Sequence, residues 1–307
     1  MSTRTTQRTT QRTTAPPAPS TGLALYDRTA AEGSARVIRA YSTSFGLASR
    51  LCSPDVREHL AEVYALVRIA DELVDGPAEE AGLPYERRRE LLDALEADTE
   101  AAFESGYSAN LVVHAFARAA RRSGFGQELT RPFFASMRRD LEPIAFTEER
   151  ELDEYVYGSA EVVGLMCLRG FAIGLAPDAE RDARWERGAR ALGSAFQRVN
   201  FLRDLGEDAS LRGRRYFPGV DPASFSEAQQ LRLLDGIDAE LAEAAAVIPE
   251  LPRGCRIAVA AAHGLFGELS VRLRRTPAAE LVTRRVRVPA PRKLAIVARV
   301  IARGGRP

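Results

Sequence analysis

The sequence predicts an all-α chain, and three observations carry that. From Leu23 onward apolar residues recur at helical three- and four-residue spacing; strand-like alternation is nearly absent; and capping and stop residues punctuate the periodic segments. Before that point, residues 1–22 contain RTTQRTTQRTT and then APPAPST, a low-complexity, Pro-rich and acid-free composition that is expected to be disordered. Nothing repeats at a fixed period afterwards and no linker divides the chain. Residues 23–307 are therefore expected to form one domain, with 45% hydrophobic residues to fill its core.

The elements follow in order. A first helix is expected over Arg28 to Ala40. The polar break after it, YSTSFG from Tyr41, offers the hydroxyls of Ser42 and Ser44 beside Phe45, which either cap the next element or help bind an anion. Ser53-Pro54-Asp55 reads as the cap and first turn of a helix carrying Arg57 to Val74, and Gly76-Pro77 stops it. Helices are expected over Tyr85 to Glu104, over Leu111 to Arg121 with a stop at Ser123-Gly124, and over Pro132 to Leu141. In the next, Leu152 to Leu175, Gly164 costs about 1 kcal/mol relative to Ala and points to close packing or the approach of a ligand. Ala183 to Asp208, Glu227 to Val247, Arg253 to Arg274 and a last helix near Arg292 to Ala302 complete the set.

Composition excludes several functions. Lys293 is the only lysine, so no Gly-Lys pair exists for a Walker-type phosphate loop, and no GxGxxG opens a dinucleotide site. His59, His114 and His263 are scattered, as surface or core histidines are, and lie near no cysteine, which argues against zinc. Three unspaced cysteines, Cys52, Cys167 and Cys255, argue against a disulfide frame, and no apolar run approaches the roughly 20 residues a membrane span needs. The chain reads as cytoplasmic, with no nucleic-acid partner. Its net charge of +1 conceals an asymmetry: from Ser270 to the end, eleven Arg and Lys face Glu280 alone, so the preceding residues sum to −9.

Two stretches stand out. In FQRVNFLRDLGED, Gln197, Asn200, Asp204 and Asp208 are spaced three, four and four apart and project from one face of a helix; in YALVRIADELVD, Tyr64, Arg68, Asp71 and Asp75 do the same. Paired carboxylates inside otherwise apolar helices repel one another and need a cation between them. Oxygen ligands without Cys or His suit Mg²⁺ or Mn²⁺ shared with substrate phosphates. With Arg68 and Arg203 beside them, the two faces look like a diphosphate clamp. The bland alternative for either pair taken alone is a solvated acidic surface.

These motifs, in this order, resemble the squalene and phytoene synthase family: YSTSFGLASRL its N-terminal Ser-Phe flap, DELVD and NFLRDLGED its aspartate motifs, YVYGSAEVVGLM its central helix, GRRYFP the turn after the second motif, and RRVRVPAPRKL the C-terminal segment of bacterial phytoene synthases. The resemblance runs from about residue 33 to about residue 297. It implies a single-domain isoprenoid synthase fold with a central cavity between helices, Mg²⁺ or Mn²⁺ dependence, and prenyl diphosphate substrates.

By the same resemblance, Asp71, Asp75, Asp204 and Asp208, with Asn200, hold the metal. Ser42, Ser44, Phe45, Arg50, Tyr64, Arg68, Gln197, Asn200, Arg203 and Tyr216 bind substrate. Tyr155 assists a proton transfer, unless it is simply a core tyrosine. The implied reaction joins two geranylgeranyl diphosphates head to head, through the cyclopropyl prephytoene diphosphate, to phytoene in carotenoid biosynthesis, without NADPH. A squalene or dehydrosqualene synthase acting on farnesyl diphosphate is the alternative; a noncatalytic helical assembly factor of the same fold is the alternative from another class. A water-insoluble product calls for peripheral membrane association, to which Arg299, Arg303 and Arg306 and the stripe Leu294, Val297, Val300 and Ile301 are suited. The null there is that the stripe packs on the core and that Arg285 and Arg287 line the active site. A downstream desaturase is the implied protein partner. Two departures stand out: Glu161 replaces the usual glycine and is expected to place a carboxylate near the cavity, and PIAF, residues 143–146, replaces an Arg-Tyr pair.

Overall fold

The computed structural model describes residues 21–42, 44–211 and 213–306, without the side chains of Ser44, Phe45 and Leu211. The expectation for residues 1–20 lies outside these. Among the described residues the architecture is all-helical and contains no strand. In chain order the helices are α1 (Gly22–Tyr41), α2 (Ser44–Ser49), α3 (Pro54–Val74), α4 (Pro77–Glu80), α5 (Tyr85–Ser105), α6 (Leu111–Ser123), α7 (Gln127–Arg139) and α8 (Glu149–Val156). A π-helical segment, Tyr157–Glu161, runs directly into α9 (Val162–Phe171). Then come α10 (Ala179–Arg203), α11 (Leu205–Leu211), α12 (Glu227–Val247), α13 (Arg253–Arg275), α14 (Ala278–Leu281) and α15 (Ala290–Ala302).

Local chemistry sets these boundaries. Thr21 caps α1 by accepting from the Ala24 N–H, which starts the helix six residues before Arg28. Asn110 and Asp178 cap α6 and α10 in the same way, and Ser226 with Gln229 forms a capping box at α12. Gly106 and Gly124 end α5 and α6 in the left-handed conformation. Helix α7 begins at Gln127 rather than Pro132, so the proline lies inside it. Ser53 precedes α3 without a side-chain cap, its N–H donating instead to the Gly254 carbonyl at 2.8 Å.

Helix α3 is buried on nearly every side, from His59 to Val74. Its one deeply buried acid, Glu62, is matched by Arg118 and Arg122 from α6, as a charge removed from water requires. The helix packs against α9, which lies against α10; α10 in turn packs against α12 and α13, leaving a central space between them. Contact between the π segment, α9 and α10 is backbone to backbone. A Cβ on Gly164 would come within 2.6 Å of the Ala189 carbonyl, and one on Gly193 within 2.7 Å of the Ala160 carbonyl. The Gly164 that costs helix propensity is therefore repaid by helix–helix approach.

The three histidines are core groups: His59 bonds the Met166 carbonyl at 2.9 Å, His114 bonds Asp27 at 2.7 Å and His263 bonds the Leu241 carbonyl at 2.9 Å. The cysteines are unpaired, and no helix among the described residues is long and apolar enough to cross a membrane. In α15 the stripe divides: Val300 is buried against α13 with Val297 partly buried beside it, while Leu294 and Ile301 remain 62% and 48% exposed.

Candidate active site

Three helices end on an aspartate. Asp75 is the C-cap of α3, Asp140 of α7 and Asp204 of α10. Each stands at the negative end of a helix dipole, where an anion is disfavoured by roughly 0.3–1 kcal/mol. All three border one cavity of about 770 Å³. Asp71, Glu72 and Asp208 border it too. Among the described lining residues, these six carboxylates face four guanidiniums, those of Arg68, Arg203, Arg214 and Arg285. Fully ionised, those described groups sum to −2.

The second acid face departs from expectation. Helix α10 ends at Arg203, and Asp204 breaks it before α11 begins, so Asp204 and Asp208 do not continue one straight helix. The turn preserves the i,i+4 backbone bond, Asp208 N–H to the Asp204 carbonyl at 2.9 Å, and both side chains still reach the cavity.

Cations at the two faces are arranged differently. Arg68 is committed to Glu72 and stands 4.0 Å from Asp71. Burial first, then the neighbouring Asp75 carboxylate, push the Asp71 carboxyl well above the usual carboxylate range. Asp204 instead receives Arg203 Nε at 2.9 Å and Arg285 Nε at 2.9 Å. Arg285 comes from the C-terminal segment after α14. It is held there because that segment seats on α11 so closely that a Cβ on Gly206 would fall 1.6 Å from the Val282 carbonyl.

A third group of residues escaped the sequence reading. Arg214 is buried; its guanidinium donates to Asp75 at 2.6 Å and to the Asp140 carbonyl at 2.6 Å. The Tyr155 hydroxyl donates to Asp140 at 2.7 Å, and burial is the first cause that pushes the Asp140 carboxyl up to about 7. PIAF explains how Arg214 is placed. The Arg215 N–H donates to the Ile144 carbonyl at 2.6 Å and the Phe146 N–H to the Arg215 carbonyl at 3.2 Å, pinning the GRRYFP turn to the end of α7. Tyr216 then stacks on Phe201, ring centroids 3.8 Å apart, with Tyr155 beside it. An arginine next to an acid-rich motif was the available signal; its partners lie 139 and 74 residues away, beyond any local pattern.

Of the residues singled out from sequence, Tyr64, Arg68, Asp71, Asp75, Tyr155, Gln197, Asn200, Arg203, Asp204, Asp208 and Tyr216 all line the cavity. Ser42 and Arg50 do not. They border a separate groove with Arg39 and Arg57, although the Ser42 hydroxyl reaches Tyr64 by a side-chain hydrogen bond. The side chains of Ser44 and Phe45 are outside the described residues. Glu161 is corrected: it pairs with Arg190 at 2.6 Å and does not line the cavity, whereas Ser159 and Ala160 do. The π segment carries an extra residue per turn, so Glu161 departs from the facing that an unbroken α-helix would give it.

The mouth fits a hard divalent cation. Its donors are carboxylate and amide oxygens, its carboxylates sit at unfavourable helix ends, and its cations are outnumbered. Among the described residues no three of His, Cys, Asp and Glu gather into a complete cage. Mg²⁺ held by oxygen donors of this kind keeps several waters and takes one or two carboxylates together with substrate phosphates. Away from the mouth the lining turns apolar, through Val163, Leu168, Phe171, Trp185, Leu192, Phe196, Leu265 and Phe266, and has the character of a hydrocarbon channel.

Known proteins match this arrangement. The family model described as squalene/phytoene synthase matches residues 38–292. The 15-cis-phytoene synthase of a Paracoccus species is 31% identical over 251 residues, 76% of this chain and 79% of that protein. The phytoene synthase of Pseudescherichia vulneris is 27% identical over 252 residues, again 76% and 79%. Among solved structures, a dehydrosqualene synthase with bound ligand superposes with a TM-score of 0.75 at 23% identity, covering 91% of this chain and 98% of that one. The squalene synthase HpnC of Alicyclobacillus acidocaldarius gives 0.65 at 20% identity, covering 92% and 97%.

Proposed function

The chain belongs to the squalene/phytoene synthase family, prenyltransferase-type enzymes of the isoprenoid synthase fold, and we propose that it joins two C20 prenyl diphosphates head to head, through a cyclopropyl diphosphate, to phytoene. The observation that carries this reading is one cavity with an acidic, arginine-bearing mouth and an apolar remainder. Asp71, Asp75, Asn200, Asp204 and Asp208 would hold Mg²⁺, which supplies charge neutralisation for a departing diphosphate. Arg68, Arg203 and Arg285 donate hydrogen bonds to that diphosphate as its negative charge grows. Tyr64 and Gln197 orient it, and Gln197 is steadied by Ser159.

The apolar walls exclude water while the allylic carbon is cationic, so that the double bond of the second chain, rather than solvent, attacks it. Closing the cyclopropane ring releases a proton. The Tyr155 hydroxyl accepts it while passing its own proton to Asp140, to which it is already bonded. Arg214 keeps that pair aligned from the Asp140 carbonyl. After a second diphosphate departure, ring opening and rearrangement, a final proton loss forms the central double bond without NADPH.

The C20 assignment is supported by the likeness of the C-terminal RRVRVPAPRKL segment to bacterial phytoene synthases. A product of that kind has no place in water. We therefore include reversible association with an anionic membrane surface, supported by exposed Leu294 and Ile301 beside Arg299, Arg303 and Arg306 on α15 and the residues after it. Purified protein is incubated with C15 and C20 diphosphates and Mg²⁺, with and without NADPH, and the hydrocarbon identified by mass. A C40 product independent of NADPH is expected. Obligatory NADPH, or a C30 product as the sole activity, overturns the assignment.

A further inference from the structure

The end of the cavity farthest from the aspartates contains the only tryptophan in the chain, Trp185. Trp185 and Asp204 both belong to the α10 stretch, 19 residues apart, which places them about 28 Å from each other along the axis at 1.5 Å per residue. On α3, which runs with its acids at the same end, Leu60 lies 11 residues before Asp71, a shorter separation of about 17 Å along the axis. Trp185 is 3% exposed and sits in one apolar cluster with Leu60, Leu168, Leu251 and Ala258. Its indole Nε1 has no hydrogen-bond partner. The ring is therefore held by packing alone and presents its bulk to the cavity.

We propose that Trp185 is the stop against which the prenyl chain is measured, touching the last isoprene unit of a C20 substrate and lying beyond the reach of a C15 one. The proposal rests on the reaction assigned above and deepens it. An extended isoprene unit spans roughly 5 Å, so a C20 chain covers about 20 Å and a C15 chain about 15 Å before the diphosphate is added. Of the 28 Å available, a C20 chain leaves a gap that the diphosphate and the Asp204 side chain fill at one end and the indole closes at the other. A C15 chain held by the same diphosphate stops about one isoprene unit short. Since the indole nitrogen makes no bond, phenylalanine at this position removes no partner and keeps an aromatic wall, whereas alanine opens it.

Two measurements test this. In the first, unreactive thiolodiphosphate analogues of the C15 and C20 substrates are titrated with Mg²⁺ while tryptophan emission is followed, with binding recorded independently by calorimetry. At saturation the C20 analogue is expected to change the emission at least threefold more than the C15 analogue. In the second, Trp185→Ala and Trp185→Phe are given C20 and C25 diphosphates. The C25-to-C20 turnover ratio is expected to rise at least tenfold in Trp185→Ala and to stay at the wild-type value in Trp185→Phe. If Trp185→Ala does not fold, Ala258→Leu narrows the same wall and is expected to depress C20 turnover at least tenfold relative to C15. Equal emission changes at saturation, or unmoved ratios in folded variants, overturn the stop while leaving the reaction in place. No binding heat and no product from any diphosphate overturns the reaction, and the stop with it.

Discussion

At the end of α3, Asp71 stands 4.0 Å from an arginine that is turned toward Glu72, while its neighbour Asp75 takes Arg214; at the end of α10 Asp204 is gripped by guanidiniums from two directions, Arg203 and Arg285. Sequence spacing makes the two faces look equivalent; tertiary structure makes them unequal. An acid such as Asp71, with little guanidinium contact and a second carboxylate beside it, most needs a metal. An acid already balanced by two arginines instead stations those arginines where a second anion can use them. Under the proposed function, the α3 end would carry more of the cation's binding and the α10 end more of the diphosphate's.

The largest expected effect tests that division directly. Asp71→Asn and Asp204→Asn should each lose at least about two orders of magnitude in turnover, the scale of removing an electrostatic stabiliser. Asp71→Asn should also need more Mg²⁺ for half-maximal rate than Asp204→Asn does. Equal Mg²⁺ titration curves for the two variants break the comparison.

Next comes a check on buried charge at the opposite end of α3. Burial lowers the His59 imidazole to about 4, so the unfolded chain binds the proton first as pH falls. Stability from this group is complete above about 6.5 and is lost as pH falls toward about 4, on the order of 3 kcal/mol in all. Urea denaturation of wild type and His59→Gln across that window should show the stability difference between them shifting in the variant's favour as acid is added. A pH-independent difference removes the buried imidazole from the account.

Smaller is the expected effect of Arg285→Ala: about a tenfold rise in KM for the prenyl diphosphate with a lesser change in kcat, about 1.4 kcal/mol of lost diphosphate binding. A change confined to kcat instead would move Arg285 from the diphosphate to the chemistry. The smallest effect is predicted for Glu161→Gln. Its partner Arg190 is half exposed, so the pair contributes less than about 1 kcal/mol, and product length should not change. A shift in chain length would show that the Glu161–Arg190 pair is not maintained during catalysis.

Much of this was legible in the sequence because it is local. Helices α3, α5, α6, α12 and α13 lie close to where caps and periodicity put them. Of the eleven cavity-lining residues, eight were recoverable from three- and four-residue spacing and Arg203 from its place beside them, while Tyr155 and Tyr216 came only from the family resemblance. Illegible parts depend on partners far along the chain. Asp140 belongs to no three- or four-residue acid pattern, and Tyr155 and Arg214 reach it from 15 and 74 residues away, as Arg285 reaches Asp204 across 81. Arg50 was misplaced because a sequence motif does not say which side of α2 faces the cavity. The break at Asp204 and the π segment were missed for another reason. Both depart by one residue from a period that assumes an unbroken α-helix, and apolar content does not register so small a slip.

That one-residue slip between α8 and α9 has a genetic meaning. Removing a single codon within 157–161 would let the segment relax into continuous α-helix. Everything after it would then keep its facing, because a π turn holds one residue more than an α turn for about the same rotation, so Val163, Gly164, Cys167 and Leu168 would stay on the cavity wall. The extra residue is an insertion absorbed within one turn; a codon lost from the regular helix beyond it would instead turn every later residue of α9 by about 100°.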